Sequence, residues 1–387
     1  MTQRILRAWN STPVQWMFSI KLTVFLLAVL MVLTFWGTLY QVDHGLFAAQ
    51  QKFFTSWFVW VLGVIPFPGG MLTLGLLMLN LLGYMINMLA FQPLRTGIVM
   101  IHAGLLIMLI GGAITHYYGE ESYLTLWEGE ASNVASSYYE WEIAVWRGDG
   151  AVREVYAIDS DHLKAGEELT FDPVPIAMRV DTYHGNARAY QSRTNTPAYL
   201  TSFNISRIEK APPDKEPTQN TPAALVTVSS PDMEPTQVLL FGQDTAPLII
   251  PVGEEEYAIG LRHKRRAMPL LVKLTDFKKE VYPGTQTPKG FSSDVEVQAD
   301  GITRDLTISM NKPLRHRGYT LYQQSYSELP EGEEASTFAV TLNYGRLLPY
   351  VSTGIVFLGM AVHFVMMLIK HARKRVKRAP LAVGGAA

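Results

Sequence analysis

Cysteine is absent from this 387-residue sequence. A chain without cysteine forms no disulfide, relays no thiol and attaches no haem through thioether bonds. Cysteine-ligated zinc and iron–sulfur centres are excluded as well. Any metal site must therefore be built from histidine, methionine or carboxylate side chains.

Acidic residues are almost absent from both ends of the chain. Of the 34 Asp and Glu residues, all but Asp43 fall between Tyr118 and Leu347. The same segment holds 22 of the 33 Lys and Arg residues, so its formal charge is −11. Because nucleic-acid binding needs a basic face, we do not expect this segment to bind nucleic acid. Its acidity is typical of a solvated surface or of one that meets a basic partner.

The apolar residues are concentrated in four blocks that lack acidic side chains. These blocks are Met17–Tyr40, Met71–Phe91, Gly97–Tyr117 and Leu348–Ile369. Each has roughly the 20 residues that cross a bilayer as a helix. The first is too long for a signal peptide and has no small-residue cleavage site after it, so it predicts an uncleaved anchor. The sequence thus predicts a multi-pass α-helical membrane protein with four transmembrane helices, arranged three plus one.

Lys and Arg near the predicted spans indicate the orientation. They occur in the N-terminal stretch 1–16, at Arg95 between the second and third spans, and in the tail 370–387. Threading four helices puts all three sites on one side, which is then cytoplasmic. The aromatic loop 41–70 and the segment 118–347 are expected outside, on the periplasmic side of a bacterial inner membrane. The basic tail is expected to contact anionic lipid.

The large outer segment is predicted to be an all-β domain. Hydrophobic and polar residues alternate with a period of two, as in half-buried strands. Ala299–Ile302 is typical of a hairpin turn. The best description is a sandwich or two stacked β-modules. The alternating stretches are Tyr139–Val145, Leu270–Phe277, Glu296–Asp300, Leu306–Met310, Tyr319–Gln323 and Thr337–Tyr344.

The loop before the second span is rich in aromatics at Phe53–Trp60, and Ile65–Gly70 breaks any helix. It is either a segment in the outer headgroup region or an extended start to the second span. Within that span, Asn80 and Asn87 share a helical face and are expected to hydrogen-bond to another helix, with a ligand site as the alternative. Gly104, Gly111 and Gly112 in the third span are expected to allow the close approach of a neighbouring helix, with a flat ligand as the alternative.

His102 lies inside the third span, in a stretch with no charged residue. An ionisable group at this depth is costly and is a functional hypothesis by default, although packing remains an alternative. A neutral imidazole also binds metals. His363, in the fourth span, is a weaker candidate. His44 and His116 lie near the interface, and the domain histidines are expected to be surface groups.

Catalytic motifs are not evident. Glu128-Gly-Glu130 is more simply a turn than an acid pair. No nucleophile elbow, phosphate-binding loop or dinucleotide fingerprint appears in a strand–turn–helix context. We therefore assign no catalytic residue and expect a non-catalytic or accessory role.

Several stretches, in order, carry a family resemblance. Early in the chain they include Gly37–Gln41, Ile101–Leu106 and Leu124–Glu130. Late in the outer domain they include Tyr282-Pro-Gly284 and Asn311–Tyr326. Together the sequence resembles the ResB family, a membrane component of the system II machinery for cytochrome c maturation.

The resemblance implies a function. Such proteins pair with a second membrane subunit of the ResC/CcsA type, which carries a tryptophan-rich haem-handling motif. The pair moves haem outward for attachment to apocytochrome c. In fused relatives, a transmembrane histidine ligates haem. His102 matches that position, which makes haem b a transient, non-covalent ligand here, with His363 as the alternative. This chain has no tryptophan-rich motif, so the bond-forming site is expected on the partner.

The rival hypothesis is a membrane-anchored β-domain that acts as a chaperone, an insertase accessory or a scaffold. In that case His102 would be a packing residue. A haem absorption band that depends on His102 distinguishes the two.

Overall fold

The computed structural model describes residues 12–91, 95–148, 153–191, 199–202, 205–231, 233–244, 246–285, 287–330 and 332–378. Most of the N-terminal stretch that was expected to be cytoplasmic lies outside these ranges, as does the end of the basic tail. The chain divides into two compact units. One combines Met1–Gly119 with Asn343–Ala387, and the other is Glu120–Leu342.

The first unit contains four helices that are long and apolar enough to cross a membrane. Three shorter helical segments occur at Thr12–Met17, Leu46–Ala49 and Gln50–Phe54, the last a π-helix. The long helices are α1 (Ile20–His44), α2 (Gly70–Phe91), α3 (Thr96–Tyr118) and α4 (Leu348–Arg378).

The ends of these helices have local causes. The α1 helix begins three residues after the apolar block does, because the Ser19 side chain caps its first turn by accepting a hydrogen bond from Leu22 N at 3.4 Å. The α4 helix extends beyond Ile369 to Arg378, because Lys and Arg are good helix formers.

The four predicted apolar helices and the large β-rich domain are confirmed.

The loop between α1 and α2 contains a hairpin that the sequence did not predict. Strand β1 (Phe58–Val61) pairs antiparallel with β2 (Ile65–Pro68), and α2 begins only at Gly70. The interpretation of this loop as an extended start to the second helix is therefore wrong.

Within its described residues, the second unit contains sixteen strands. They are β3 (Glu120–Trp127), β4 (Ala131–Arg147), β5 (Val155–Asp159), β6 (Glu168–Thr170), β7 (Ala177–His184), β8 (Ala187–Gln191), β9 (Ile205–Lys210), β10 (Ala223–Ser230), β11 (Met233–Phe241), β12 (Leu248–Val252), β13 (Glu255–Val281), β14 (Pro288–Ala299), β15 (Ile302–Ser309), β16 (Leu314–His316), β17 (Tyr319–Glu328) and β18 (Glu334–Leu342).

Most of these strands belong to one ten-stranded sheet with the order β15-β14-β13-β4-β3-β18-β17-β16. In addition, β12 pairs with β13 and β5 pairs with β4. A four-stranded sheet has the order β11-β10-β7-β6, and β8 pairs with β9. The predicted hairpin turn is present, with positive φ at both Asp300 (52°) and Gly301 (75°).

The β unit has two large hydrophobic clusters. In the first, Ile143 and Ile259 of the ten-stranded sheet pack with Val226 of the four-stranded sheet, as in a sandwich. The second lies along the rest of the large sheet and includes Leu274 and Phe338. Strand β13 contributes to both clusters. The two predicted alternatives, a sandwich and two stacked β-modules, therefore describe different parts of one unit.

Candidate functional site

His102 lines a cavity of about 400 Å³ between α1, α2 and α3. The cavity wall is mostly aliphatic. Its lining residues are Ile20, Thr23 and Leu27 of α1, Leu77, Asn80, Leu81 and Tyr84 of α2, and His102, Leu105, Met108 and Leu109 of α3. This volume is within the roughly 300–1,000 Å³ of small-molecule sites in proteins.

A polar contact joins α1 and α2 at the cavity. The Thr23 hydroxyl donates to Asn80 Oδ1 at 2.7 Å. The Asn80 amide nitrogen donates to the carbonyl oxygens of Met17 at 2.7 Å and Ser19 at 3.2 Å. The prediction that Asn80 hydrogen-bonds to another helix is therefore confirmed. These bonds hold one wall of the cavity in place.

The imidazole of His102 has a defined tautomer. Its Nδ1 lies 2.7 Å from the carbonyl oxygen of Ile98, one helical turn earlier. A carbonyl oxygen only accepts hydrogen bonds, so Nδ1 carries the proton and a neutral ring keeps its lone pair on Nε2. Histidines that bind metals are commonly held in this way by a backbone carbonyl. The Tyr84 ring lies 5.3 Å away, centroid to centroid.

The surroundings limit which metal His102 would bind. In the described part of the chain, no group of three or more His, Cys, Asp or Glu residues is placed to hold a metal ion. A bare ion would therefore find no set of three such ligands among the described residues at this site. Iron in haem needs only axial ligands, because the porphyrin already supplies four nitrogens. One free imidazole nitrogen in an apolar cavity fits that requirement.

His363 lines a different cavity, of about 1200 Å³, between α3 and α4. This cavity is basic at its edge and partly apolar inside. Its lining residues are Arg95, Gly97, Ile98, His363, Met366, Met367, Ile369, Lys370, Ala372, Arg373 and Lys374. His102 and His363 therefore line separate cavities.

Glycines bring α3 against α4. A Cβ atom on Gly97 would lie 2.6 Å from His363 N, and one on Gly104 would lie 2.5 Å from Val356 Cγ2. A Cβ on Gly111 would be 2.9 Å from Leu348 Cβ. The packing prediction is thus confirmed for Gly104 and Gly111. At Gly112 a Cβ would have no neighbour within 4 Å among the atoms the structure describes, so no close helix contact is described there.

The remaining histidines have local structural contacts. His44 stacks on Tyr40 with ring centroids 3.8 Å apart, and both His44 and His116 are exposed. In the β unit, His263 packs on Trp141 at 3.9 Å, and burial lowers the pKa of its imidazole. The His316 side chain is only 14% exposed. The expectation that the domain histidines are surface groups is therefore wrong for these two.

Sequence reasoning did not identify Thr23, Tyr84 and Met108 as neighbours of His102. One signal was available: Asn80 and Tyr84 are four residues apart, so the two polar groups share one face of an otherwise apolar α2. Thr23 and Met108 gave no such signal, because Thr and Met are common in apolar helices.

Residues 240–340 match the family model described as the ResB-like family. The resemblance to the ResB-like family is confirmed. The matched residues lie within the β unit, so the match does not include the four long helices.

The chain is also similar to one curated protein. Protein NrfI of Wolinella succinogenes is 21% identical over 267 residues, which are 67% of this chain. The chain spans about a quarter of that relative, since the aligned part is 26% of NrfI. Four apolar helices together with the family indicate a membrane protein.

Proposed function

We propose that this chain is a subunit of a membrane complex for cytochrome c biogenesis, in which it helps to pass haem outward for attachment to apocytochrome c. The family resemblance supports the biogenesis role. The observation that carries the haem role is the cavity at His102, where the fixed tautomer leaves Nε2 available for iron.

In this proposal His102 supplies one axial ligand to haem b. The Ile98 carbonyl orients the ring and keeps the proton on Nδ1. The aliphatic residues of the cavity would contact bound haem and exclude water. Haem is a transient cargo that would be held without a covalent bond. The bond-forming site belongs to the partner, a membrane subunit of the ResC/CcsA type.

The orientation follows from where the basic residues meet. Arg95, before α3, lines the same cavity as Lys370 and Arg373 near the end of α4. We assign this end to the cytoplasm by the positive-inside rule. The α3 helix leads into the β unit from its opposite end, so this proposal assigns the β unit to the periplasmic side of the inner membrane.

The basic cavity supports the predicted contact with anionic lipid. Four Lys and Arg residues converge at its edge while Met366 and Ile369 line it. Such a combination is suited to a lipid phosphate at the cytoplasmic surface, with acyl chains along the apolar wall. His363 in this cavity remains the alternative haem ligand.

The decisive experiment is His102→Ala in the complex with its partner. Alanine leaves a cavity without a buried charge, so protein levels should stay near normal. Bound haem, measured by its Soret absorbance, and the yield of cytochrome c should both fall. Free imidazole should restore part of the haem, because it can occupy the vacated coordination position.

His363→Ala is the matched control and should change bound haem much less. If His102→Ala retains full haem and full cytochrome c maturation, His102 is a packing residue. The chaperone or scaffold hypothesis would then be preferred.

A further inference from the structure

The β1–β2 hairpin presents apolar side chains on both of its faces. Val59 is buried in a cluster with Val29, Leu33 and Phe53. An antiparallel sheet that faces water normally has a polar outer side. Here the outer side and the tip are apolar, and between 51% and 89% of each side chain is exposed: Trp57, Phe58, Trp60, Leu62, Val64 and Ile65.

The hairpin also lies in a long stretch without charge. No Asp, Glu, Lys or Arg occurs between Lys52 and Arg95. The exposed face therefore offers no ion pair to a protein surface. Its available interaction is the burial of apolar area.

The free edge of β2 cannot accept another strand. Val59 pairs with Phe67 and Val61 with Ile65, and Gly69 N donates to Trp57 O at 2.8 Å. Because hydrogen-bonded positions alternate in an antiparallel pair, Pro66 and Pro68 point away from β1. Proline has no N–H group, so a further strand would find no donor at these positions.

The same two prolines lower the cost of placing this edge in a medium of low polarity. Removing an unpaired N–H group from water costs free energy, and the two prolines have no N–H group. The outward carbonyls and the free edge of β1 still need polar partners. These groups keep the hairpin near water and away from the centre of a bilayer.

We propose that the β1–β2 hairpin inserts into the outer-leaflet interface of the membrane. It connects α1 to the start of α2, at the end of α2 that is remote from Arg95, and so continues the apolar surface of the helices. Trp57 and Trp60 lie at headgroup level, where tryptophan is enriched. Leu62 and Val64 at the tip reach the boundary of the acyl chains. This inference rests on the membrane placement proposed above.

The lack of cysteine makes a direct test simple. Leu62→Cys in the full-length chain creates a single labelling site, since the protein has no other thiol. The residue is 89% exposed and contributes little packing, and Val64→Cys is a second label if the first misfolds. An environment-sensitive fluorophore on this thiol is quenched by lipids that carry a nitroxide near the headgroup.

The label is measured in phosphatidylcholine–phosphatidylglycerol vesicles with the full complex reconstituted. Glu254→Cys, at an exposed turn of the β unit, is the aqueous control. Phe357→Cys, 71% exposed on α4, is the control for a membrane-spanning helix. We expect severalfold stronger lipid quenching at position 62 than at 254.

The controls separate the possible failures. Quenching at 357 without quenching at 62 would overturn the hairpin proposal and leave the membrane placement intact. Loss of quenching at both would overturn the membrane placement. Quenching at 62 in the isolated chain that disappears in the complex would identify a partner protein as the occupant and reject lipid.

Discussion

The α3 helix meets its neighbours in opposite ways on two sides. Toward α4 it has Gly97, Gly104 and Gly111, seven residues apart, and the backbones approach so closely that a methyl group would collide. Toward α1 and α2 it has His102 beside a cavity of about 400 Å³. On the side toward α4, glycines let the two helices pack closely. On the side toward α1 and α2, the polar His102 lines an open cavity.

This difference indicates which side of α3 contributes to stability and which side is available for binding. Close glycine contacts hold α3 on the backbone of α4 at Gly97 and on its side chains at Gly104 and Gly111, and Ser352 Oγ donates a hydrogen bond to Gly104 O at 2.7 Å. The opposite side is therefore free to carry a group that is costly in an apolar environment. Substitutions on the glycine side should affect folding, and those on the cavity side should affect binding.

The largest effect on stability is expected for Gly97→Ala. The new methyl carbon would meet His363 N at 2.6 Å, His363 Cα at 2.7 Å and Gly359 O at 2.8 Å. These are backbone atoms, so no side-chain rotation relieves the clash. The free energy of unfolding in detergent should fall by about 1–3 kcal/mol, the usual cost of overpacking.

Gly112→Ala is the matched control for this substitution. Its methyl group would have no described neighbour within 4 Å. Alanine is the better helix former, so this variant should be as stable as the parent or more stable, by up to about 1 kcal/mol. Equal behaviour of the two variants would contradict the difference between the two sides of α3.

A smaller effect is expected for Asn80→Ala, which removes the bonds between α2 and the start of α1. Hydrogen bonds between helices in membranes average about 0.6 kcal/mol, so the loss should be on the order of 1 kcal/mol. A double-mutant cycle with Thr23→Val, based on unfolding free energies, isolates the bond between the two side chains. Strict additivity of the two substitutions would show that this bond does not stabilise the unit.

The smallest effect on stability is expected for His102→Leu. The Ile98 carbonyl keeps its helical hydrogen bond, and the leucine side chain is cheaper than imidazole in apolar surroundings. The unfolding free energy should change by less than about 0.5 kcal/mol, while bound haem is lost. A loss of stability comparable to that of Gly97→Ala would instead make His102 a packing residue.

Much of the fold was predictable because single-residue patterns determine it. Apolar length predicts the four helices, and two-residue alternation predicts strands such as Leu270–Phe277, in which Val272 and Leu274 are fully buried. The role of Asn80 followed from the cost of an unpaired amide. His102 stood out for the same reason.

The cavity itself was not predictable, because its shape depends on where α1 and α2 converge on α3. No local pattern in the sequence specifies that Thr23, Tyr84 and His102 line one space. The hairpin was missed because Pro66 and Pro68 normally argue against a strand, and only an edge position allows them. His263 was misjudged because its burial comes from Trp141 on the neighbouring strand.

Strand β13 has a mechanical consequence for the β unit. It runs for 27 residues, pairs with β4, β12 and β14, and places Ile259 in the first hydrophobic cluster and Leu274 in the second. If one cluster is loosened, β13 is still held by its packing in the other cluster. The pairing of β13 with β4 shifts register between Ala267 and Val272, close to where the strand passes from the first cluster to the second. A load applied at one end of the unit would therefore reach the other end through this irregular stretch of the strand.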